Sequence, residues 1–273
     1  MSDTEHYWKR WSPYWFFLED FFLDLEIINK LTIHIENPVL IIGAGQGLLV
    51  EELQKKGFQV DGVDLEPSMI TYAKKRRGLN LIQANGKNMP FSDRSYKTSI
   101  IATGVVDFMG DEEEIESIIN EARRVTDDSG KVFVAFYQYH PKVEKLFRYI
   151  GLITDKGVHL FRRMGEMTKL SCDNPIGYIK AFKSEANVGY CSALISLIKV
   201  LLFLPKKEKK QRKKSAKLWK QTDNELDNPE SLIDCLPEFI PYRNEENIID
   251  LFKLLSIPIR NMSVYDSCVV VQL

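Results

Sequence analysis

An apolar run that breaks into glycines constrains this chain more than any other feature. The run is VLIIGAGQG at residues 39–47, with its glycines at Gly43, Gly45 and Gly47. A buried strand must turn sharply into a helix here, and glycine permits the unusual φ angles of such a turn. The turn also lets a ligand approach the backbone, and the helix that follows offers free N–H groups at its N-terminus. We therefore predict a strand–turn–helix unit that carries a ligand site.

A second apolar run ends in a carboxylate, Asp64, seventeen residues after Gly47. In a parallel sheet the carboxyl ends of neighbouring strands meet at one crevice, so Asp64 is expected beside the glycine turn. A carboxylate in that place can accept two hydrogen bonds from the hydroxyls of a ribose. The turn and the acid together predict a cofactor that contains a nucleoside.

The spacing of the glycines selects the kind of cofactor. A dinucleotide fingerprint, G-x-G-x-x-G, needs its third glycine at position 48, which is Leu48, and this disfavours a nicotinamide-dependent oxidoreductase. The G-x-G-x-G spacing, with Asp64 about seventeen positions further on, resembles the S-adenosylmethionine site of class I methyltransferases. That resemblance implies S-adenosyl-L-methionine as the cofactor and methyl transfer as the activity.

Three further segments carry the same resemblance, which covers roughly residues 36–140. They are DLEPSMITYAKK (64–75), ANGKNMPFSDRSY (84–96) and EARRVTDDSGKVFVAFY (121–137). The first is similar to the stretch after the ribose-binding acid, the second to the segment around the adenine pocket, and the third to the turn before the fifth strand. The residues that the resemblance assigns to the cofactor are Gly43, Ala44, Gly45, Gly47, Asp64, Leu65, Met69, Asn85, Gly86 and Thr103.

At three positions the chain lacks an acidic residue that the family usually has. Ile41 stands two positions before the first glycine, Asn85 stands in the adenine segment, and Lys97 stands near the start of the fourth strand. These differences keep an alternative open, a non-catalytic binding scaffold with the methyltransferase fold.

The alternation of apolar strands and amphipathic helices predicts an α/β fold with a doubly wound, seven-stranded, mostly parallel sheet. The C-terminal segment 244–273 resembles the ending of the family, whose last strand is reversed and lies between the fifth and the sixth. Predicted strands are 39–42, 59–63, 80–83, 98–103, 131–136, 258–264 and 267–272; predicted helices are 48–56, 67–76, 111–125 and 245–255.

We divide the chain into four parts around a single methyltransferase-like domain. The hundred or so residues between the fifth strand and the C-terminal ending exceed a simple crossover, so we expect a helical insertion there that caps the acceptor. In the family an N-terminal aromatic segment often closes over the cofactor, which makes Trp11 and Tyr14 candidate lid residues. The parts are an aromatic helical lid (1–35), the cofactor-binding core (36–140), the insertion (141–240) and a helix with a β-hairpin (241–273).

A methyl acceptor that is a hydroxyl or a protonated amine needs a base. Tyr137 and His140 lie just past the predicted fifth strand, and Asp107 lies just past the fourth, so these three residues are the candidates. Histidine has a reference pKa near neutrality, which suits it to general-base chemistry. The alternative for His140 is a loop histidine that is bonded to nearby backbone.

Composition excludes several other classes of protein. The 273 residues are 44% apolar and carry a formal net charge of −1, so a folded core is expected and no global field favours nucleic acid. Four cysteines lie far apart with no C-x-x-C pair, which argues against a metal site and a disulfide framework. The N-terminus has no signal-peptide pattern, and we expect a cytoplasmic protein.

Residues 191–220 form an unusual stretch within the predicted insertion. CSALISLIKVLLFLP (191–205) is almost wholly apolar, and the next fifteen residues carry nine Lys or Arg. A helix over 193–204 would be about 18 Å long, too short for a hydrocarbon core of about 30 Å. Three interpretations remain: a buried helix with a solvated basic tail, a helix that contacts an anionic membrane peripherally, or an anchor for nucleic acid, which is the least favoured.

Overall fold

A computed structural model describes residues 25–138, 151–153, 157–160, 174–185, 189–195, 197–198, 239–241, 243–265 and 268–273. The chain divides into two compact units. The first combines residues Met1–His140 with Pro241–Leu273, and the second is Pro141–Ile240. The predictions for Trp11, Tyr14, His140 and the basic run 206–220 lie outside the described residues.

In the first unit, the described helices and strands follow the order expected from the sequence. In the first unit they are α1 (Leu25–Leu31), β1 (Val39–Ile42), α2 (Leu48–Lys55), β2 (Val60–Asp64), α3 (Pro67–Arg77), β3 (Ile82–Gln83), β4 (Tyr96–Ile101), α4 (Glu112–Val125) and β5 (Thr126–Tyr137). The second unit holds β6 (Gly151–Ile153), β7 (Gly157–Leu160) and α5 (Pro175–Glu185), and β8 (Phe239–Pro241) lies at its end. The chain closes with α6 (Glu245–Leu254), β9 (Asn261–Val264) and β10 (Cys268–Gln272).

A seven-stranded sheet with the order β3-β2-β1-β4-β5-β10-β9 organises the first unit. The first five strands are parallel to one another. β10 runs antiparallel to both β5 and β9, so the last strand of the chain lies inside the sheet. This topology confirms the predicted mostly parallel sheet with a reversed last strand.

Helices cover both faces of the sheet, as expected from the wholly apolar sequence of β1. Its four residues are all fully buried. Leu40 and Ile42 belong to the hydrophobic cluster that includes α4 and α6, whereas Val39 and Ile41 belong to the cluster that includes α1, α2 and α3. Each such side chain contributes about 1.5–3 kcal/mol by leaving water. A strand that is apolar on both faces is typical of a parallel sheet between two layers of helices.

Three strands differ clearly in length from their predictions. β5 begins at residue 126 instead of 131, because the segment before the apolar run already pairs with β4 through Tyr96 and Thr126. β3 has only two residues, since just Ile82 and Gln83 pair with β2 at the edge of the sheet. The last of them, β9, begins at Asn261 instead of residue 258.

The described parts of the second unit contain strands as well as the predicted helices. β6 pairs antiparallel with β7, and β8 completes a three-stranded sheet in the order β6-β7-β8. The short sequences GLI and GVHL combine a glycine with β-branched residues, which suits them to strands. Residues 190–195 and 197–198 are helical. Across the described part of the chain, no helix combines the length and the apolar character needed to cross a membrane.

Candidate cofactor site

The glycine turn between β1 and α2 is folded as its sequence predicts. Gly43, Gly45 and Gly47 have φ angles of 75°, 55° and 85°, a region that side chains rarely adopt. The N–H groups of Gly43 and Ala44 both donate to the carbonyl of Val63, at 3.0 and 2.9 Å. The turn is therefore fixed on the end of β2.

Packing adds a second reason for glycine at two of these positions. A Cβ atom on Gly43 would lie 2.1 Å from Cγ2 of Val105, in the loop that follows β4. A Cβ atom on Gly47 would lie 2.5 Å from Cδ1 of Leu79, just after α3. The first and third glycines thus let neighbouring elements approach closely.

Asp64 ends β2 and binds the glycine turn directly. Its Oδ2 accepts a hydrogen bond from the N–H of Gly45 at 2.7 Å, and its Oδ1 accepts one from the N–H of Glu66 at 2.9 Å. An ionised carboxylate has about four acceptor positions, so roughly two remain. Two free acceptor positions at the carboxyl edge of the sheet are what the hydroxyls of a ribose require.

The ionisation of Asp64 is sensitive to its surroundings. Burial raises the pKa of Asp64 to about 6, although the N–H groups of Glu66 and Gly45 act in the opposite direction. The nearby carboxylate of Glu66 also raises this pKa. At neutral pH the group is mainly ionised, and it gains a proton under mildly acidic conditions.

Leu65 follows Asp64 directly in the chain, and Asn85 lies in the segment after β3 where the resemblance places the adenine. Leu65 is 45% exposed, although it is a large apolar side chain. The backbone N–H of Ala84 donates to the carbonyl of Asp64 at 3.0 Å, which brings the segment after β3 to the end of β2. Asn85 is exposed in that segment, and its Oδ1 accepts from the N–H of Lys87 at 3.0 Å. An exposed apolar side chain and an amide are suitable groups for the face and the edge of a base.

Arg124 anchors the segment after β3 on helix α4. Its guanidinium donates to the carbonyl of Phe91 at 2.9 Å and to the carboxylate of Asp93 at 2.6 Å. On its own helix it donates to both carboxylate oxygens of Glu121, which in turn accepts from the N–H of Met89 at 2.6 Å. Hydrogen bonds to these carboxylates raise the pKa of Arg124 and lower that of Glu121. This network holds residues 89–93, which follow Asn85 in the same segment, against α4.

Other residues assigned to the cofactor occupy different places. Met69 is buried in α3, and Ala44 is buried in the core cluster below the turn. Gly86 is needed for packing, since its Cβ would lie 2.7 Å from Cδ1 of Ile118. Thr103 is partly buried in the loop after β4. The geometry favours a supporting role for Met69 and Gly86, and the assignment of all four residues stays a prediction.

Asp107 is almost fully buried and joins two strand ends. Its Oδ2 accepts from the N–H of Gly104 at 2.8 Å, and its Oδ1 accepts from the N–H of Tyr137 at 3.1 Å. Burial raises the pKa of Asp107 to about 6, while those two N–H groups and the charge of Arg243 lower it. Because both oxygens bind backbone, the geometry favours a role in positioning the loop after β4 against β5.

Tyr137 is the last residue of β5 and is also buried. Its ring meets Phe108 edge to face, with the centroids 6.3 Å apart, and its carbonyl accepts from the N–H of Arg243 at 3.1 Å. The structure thus brings Tyr137 and Asp107 together. Their predicted roles as bases stay untested, and His140 lies outside the described residues.

Gln46 is a residue of the glycine turn that the sequence analysis did not single out. It is the polar member of the glycine turn, and it is completely buried. Its Oε1 accepts a hydrogen bond from Nη1 of Arg76 at 3.0 Å, which ties the turn to α3. The sequence did carry a signal for Gln46, because it is a polar residue between two glycines of the turn.

The three positions without the family's acidic residue differ in their distance from the site. Lys97 lies near the start of β4, at the amino edge of the sheet, where its ammonium pairs with Asp127 at 3.0 Å. Asp64 lies at the opposite, carboxyl edge. Ile41 is fully buried in an apolar cluster and offers no polar group. Of Lys97 and Ile41, only Ile41 lies in the strand that leads into the glycine turn, so only its lack of a carboxylate concerns the cofactor site.

The described residues contain no group of three or more His, Cys, Asp or Glu that could hold a metal ion.

Residues 40–134 match the family model for a methyltransferase domain. These residues include most of β1, the glycine turn, Asp64 and most of β5. This part of the chain is similar to a methyltransferase domain.

Curated relatives of this domain carry names from the same family. The chain is 27% identical over 154 residues to a demethylmenaquinone methyltransferase of Paenarthrobacter aurescens, with 56% of each protein covered. It is 27% identical over 143 residues to a demethylmenaquinone methyltransferase of Corynebacterium urealyticum, with coverage of 52% of this chain and 57% of that protein. The chain thus spans about half the length of the curated relatives it matches.

A solved structure from Thermotoga maritima supports the fold over a greater length. That protein is described as a methyltransferase dependent on S-adenosylmethionine and a possible histamine N-methyltransferase. The match covers 98% of this chain and 97% of that one, with a TM-score of 0.50 and 13% sequence identity. At this identity the likeness concerns the fold alone.

Proposed function

We propose that this protein is an S-adenosylmethionine-dependent methyltransferase that acts on a small or lipid-like acceptor. The observation that carries the proposal is the hydrogen bond that joins the glycine turn to the carboxylate of Asp64. The turn offers backbone that a ligand can approach, and the carboxylate keeps about two acceptor positions for ribose hydroxyls. The family of the core supports the same cofactor.

Several residues of the domain would hold S-adenosylmethionine. Asp64 would bind the ribose, and the backbone of residues 43–47 would bind the rest of the nucleoside and the amino acid part. Leu65 and Asn85 would contact the adenine, and Arg124 holds residues of the segment that carries Asn85. Ile41 contributes no charge, so the backbone of the turn has to bind the methionine part without it.

The chemistry itself makes few demands on side chains. When bound, S-adenosylmethionine supplies an electrophilic methyl group: its S–CH3 bond breaks as the bond from the acceptor to the methyl forms, and S-adenosylhomocysteine leaves. The acceptor loses one proton in the course of the reaction. The protein aligns the acceptor and excludes water, and alignment of this kind can supply about 7–11 kcal/mol of the barrier. A base such as His140 takes the proton if the acceptor is a hydroxyl or a protonated amine.

A lipid-like acceptor is supported by the names of the curated relatives. Two relatives at 27% identity are demethylmenaquinone methyltransferases, so demethylmenaquinone is the first acceptor to test.

A non-catalytic scaffold is the alternative, and Ile41 favours it. A fully buried isoleucine replaces a carboxylate that helps the family to hold the methionine part of its cofactor. A scaffold of this kind keeps the fold and loses affinity for S-adenosylmethionine.

Two measurements distinguish the alternatives. Calorimetric titration with S-adenosylmethionine should give a saturable heat for the wild type and a much weaker one for Asp64→Ala. Incubation with a lipid extract and a donor labelled in its methyl group, followed by mass spectrometry, should then identify the acceptor by its gain of one labelled methyl. No binding heat in a folded wild-type protein would refute the enzyme and favour the scaffold, and labelling of soluble metabolites alone would refute the lipid-like acceptor.

A further inference from the structure

Two buried polar atoms lie unpaired at the carboxyl edge of the sheet in the first unit. They are Nε of Arg243 and Oε1 of Gln138, and among the described residues neither atom has a hydrogen-bond partner. Gln138 directly follows β5, and the backbone N–H of Arg243 donates to the carbonyl of Tyr137 at 3.1 Å, so both residues lie at the end of β5. Buried polar atoms in proteins are nearly always paired, so these two need an explanation.

Both residues lie beside the layer of helices that α4 and α6 form. Phe136 lies on that face of β5, where its ring meets Phe252 of α6 edge to face, with the centroids 6.0 Å apart. The alternation of side chains along β5, continued by one residue, places Gln138 on the same face as Phe136. Arg243 directly precedes Asn244, the N-cap of α6. The fold thus brings Gln138 and Arg243 together at one strand end.

The two unpaired atoms require complementary groups from a ligand. A guanidinium is always charged and has only donors, whereas the side-chain oxygen of Gln is an acceptor. Asp107 is close enough for the charge of Arg243 to lower its pKa, but its two oxygens bind the backbone N–H groups of Gly104 and Tyr137. The guanidinium therefore retains a donor for another oxygen, and an anionic oxygen is the strongest acceptor for it.

The end of β5 lies where a second substrate would meet a cofactor that the glycine turn holds. The turn follows β1, and in the order β1-β4-β5 two strand spacings, about 10 Å, separate it from the end of β5. Asp64 ends β2, on the other side of β1. Ligands of such sheets bind along the carboxyl ends of the strands. A cofactor with its ribose at β2 leaves the ends of β4 and β5 to the methyl acceptor.

We propose that Arg243 binds an anionic oxygen of the methyl acceptor and that Gln138 accepts a hydrogen bond from the same molecule. The inference rests on the proposed methyltransferase activity, and it narrows the acceptor to molecules with a carboxylate or an ionised hydroxyl. Arg243 and Gln138 select and orient this molecule, and the guanidinium takes no proton from it because it is already charged. A water molecule is the other candidate occupant, and it would give no preference for anions.

Binding of small probes to the full-length protein, with and without S-adenosylhomocysteine, tests the proposal in the absence of turnover. The probes share a fused two-ring system: naphthoate carries a carboxylate, hydroxynaphthoquinone carries an ionised hydroxyl, and naphthylmethanol is neutral. Because hydrogen bonds between charged groups are the strong ones, the wild type should bind at least one of the anions about tenfold more tightly than the neutral probe. The anion that binds more tightly shows which source of the charge the site prefers.

Three variants test the two residues, and a fourth is the control. Arg243→Gln removes the charge, so the anionic and neutral probes should bind within about threefold of each other. Arg243→Lys keeps the charge and should retain part of the preference. Gln138→Glu has the same size and adds a like charge, so it should weaken the binding of the anions at least about tenfold. Arg94→Gln is the matched control, because the guanidinium of Arg94 pairs with Asp128 on an exposed surface, and it should keep the wild-type preference.

The ratio of the anionic to the neutral affinity is the readout, because a purely structural Arg243 would affect all the probes alike. A wild type that binds none of the probes or all three equally would overturn the proposal, and so would a folded Arg243→Gln variant that keeps the tenfold ratio. If Arg243→Gln does not fold, Gln138→Glu decides by the same ratio.

Titration of the wild type with S-adenosylmethionine separates this inference from the proposed function. Binding of S-adenosylmethionine without any preference among the probes would refute the acceptor site and leave the cofactor site standing. A preference for anions that depends on Arg243, without any heat from S-adenosylmethionine, would refute the methyltransferase and leave an anion site at the end of β5.

Discussion

The backbone N–H of Gly45 lies 2.7 Å from Oδ2 of Asp64 and donates a hydrogen bond to it, so the turn after β1 and the acid at the end of β2 form one unit. The pair links two motifs that are nineteen residues apart in the chain. A change in either residue therefore affects both the shape of the turn and the groups that face a ligand.

Asp64→Ala should weaken the binding of S-adenosylmethionine about ten- to a hundredfold. Hydrogen bonds to a charged acceptor contribute about 1.5–3 kcal/mol, and the variant removes those to the ribose. Isothermal titration calorimetry measures the change. Asp250→Ala is the control, because Asp250 is an exposed acid on α6 whose carboxylate pairs with the nearby Lys253 at 3.1 Å. Equal affinities of the two variants would contradict the ribose assignment.

Binding should also weaken as the pH falls through 6. The pKa of Asp64 in the free protein is raised to about 6, and the ionised form is the one that accepts two ribose hydroxyls. At pH 5 only about a tenth of the molecules carry the charge, so the affinity should be about tenfold lower than at pH 8. Titrations at half-unit steps give the profile, and a flat profile between pH 5 and 8 would show that binding does not need the ionised carboxylate.

Gly43→Ala should destabilise the protein more than Gly78→Ala. Both glycines have φ angles near 70–75°, and the strain of about 1–2 kcal/mol applies to both. Gly78 has open space where a Cβ would stand, whereas Gly43 faces Val105, so overpacking should add about 1–3 kcal/mol there. Urea denaturation measures both losses. Adding Val105→Ala to Gly43→Ala should recover part of the difference, and no recovery would mean that backbone strain alone is responsible.

Arg124→Ala should loosen the segment that carries Asn85 and raise the dissociation constant for S-adenosylmethionine several-fold. The variant removes the hydrogen bonds of the guanidinium to four partners, which lie on α4 and on the segment after β3. Because a third of the Arg124 side chain is exposed, we expect a loss of about 1–3 kcal/mol in unfolding free energy. Arg94→Ala is the control, because its ion pair with Asp128 is well exposed. Hydrogen exchange over residues 84–95 should increase in the first variant only.

Asp107→Asn should change how stability depends on pH. Burial raises the pKa of Asp107 to about 6 in the folded protein, above the unfolded value of 3.8, so the folded state binds the extra proton between these two values. Relative to the variant, the wild type should lose about 3 kcal/mol of unfolding free energy as the pH rises from 3 to 7, about two thirds of it between pH 4 and 6. Parallel curves for the two proteins would exclude a buried, titrating Asp107.

The sheet and the turn were predictable because their signals are local. Val39 to Ile42 are apolar on both faces of a strand, and glycines follow at once, so both the strand and its carboxyl edge are defined by nine consecutive residues. The position of Asp64 beside the glycine turn was predictable as well, because neighbouring parallel strands end at the same edge of the sheet.

Residues whose role depends on distant partners were harder to interpret. Met69 and Gly86 match a family pattern, yet one is buried in α3 and the other packs on Ile118. Gln46 and Arg124 act through contacts with residues thirty or more positions away, which no local pattern indicates. The burial of Asp107 has the same origin, since it depends on the loop that meets the end of β5.

The reversed strand β10 has a consequence for synthesis of the protein on the ribosome. β5 ends at Tyr137, and its partner on that side begins at Cys268, about 130 residues later. At 5–20 residues per second, the neighbour of β5 emerges about 7–26 s after β5 itself. During that interval β5 is an open edge with apolar faces, and such edges pair readily with other chains. We therefore expect nascent chains that stall within residues 141–260 to be the species most in need of a chaperone.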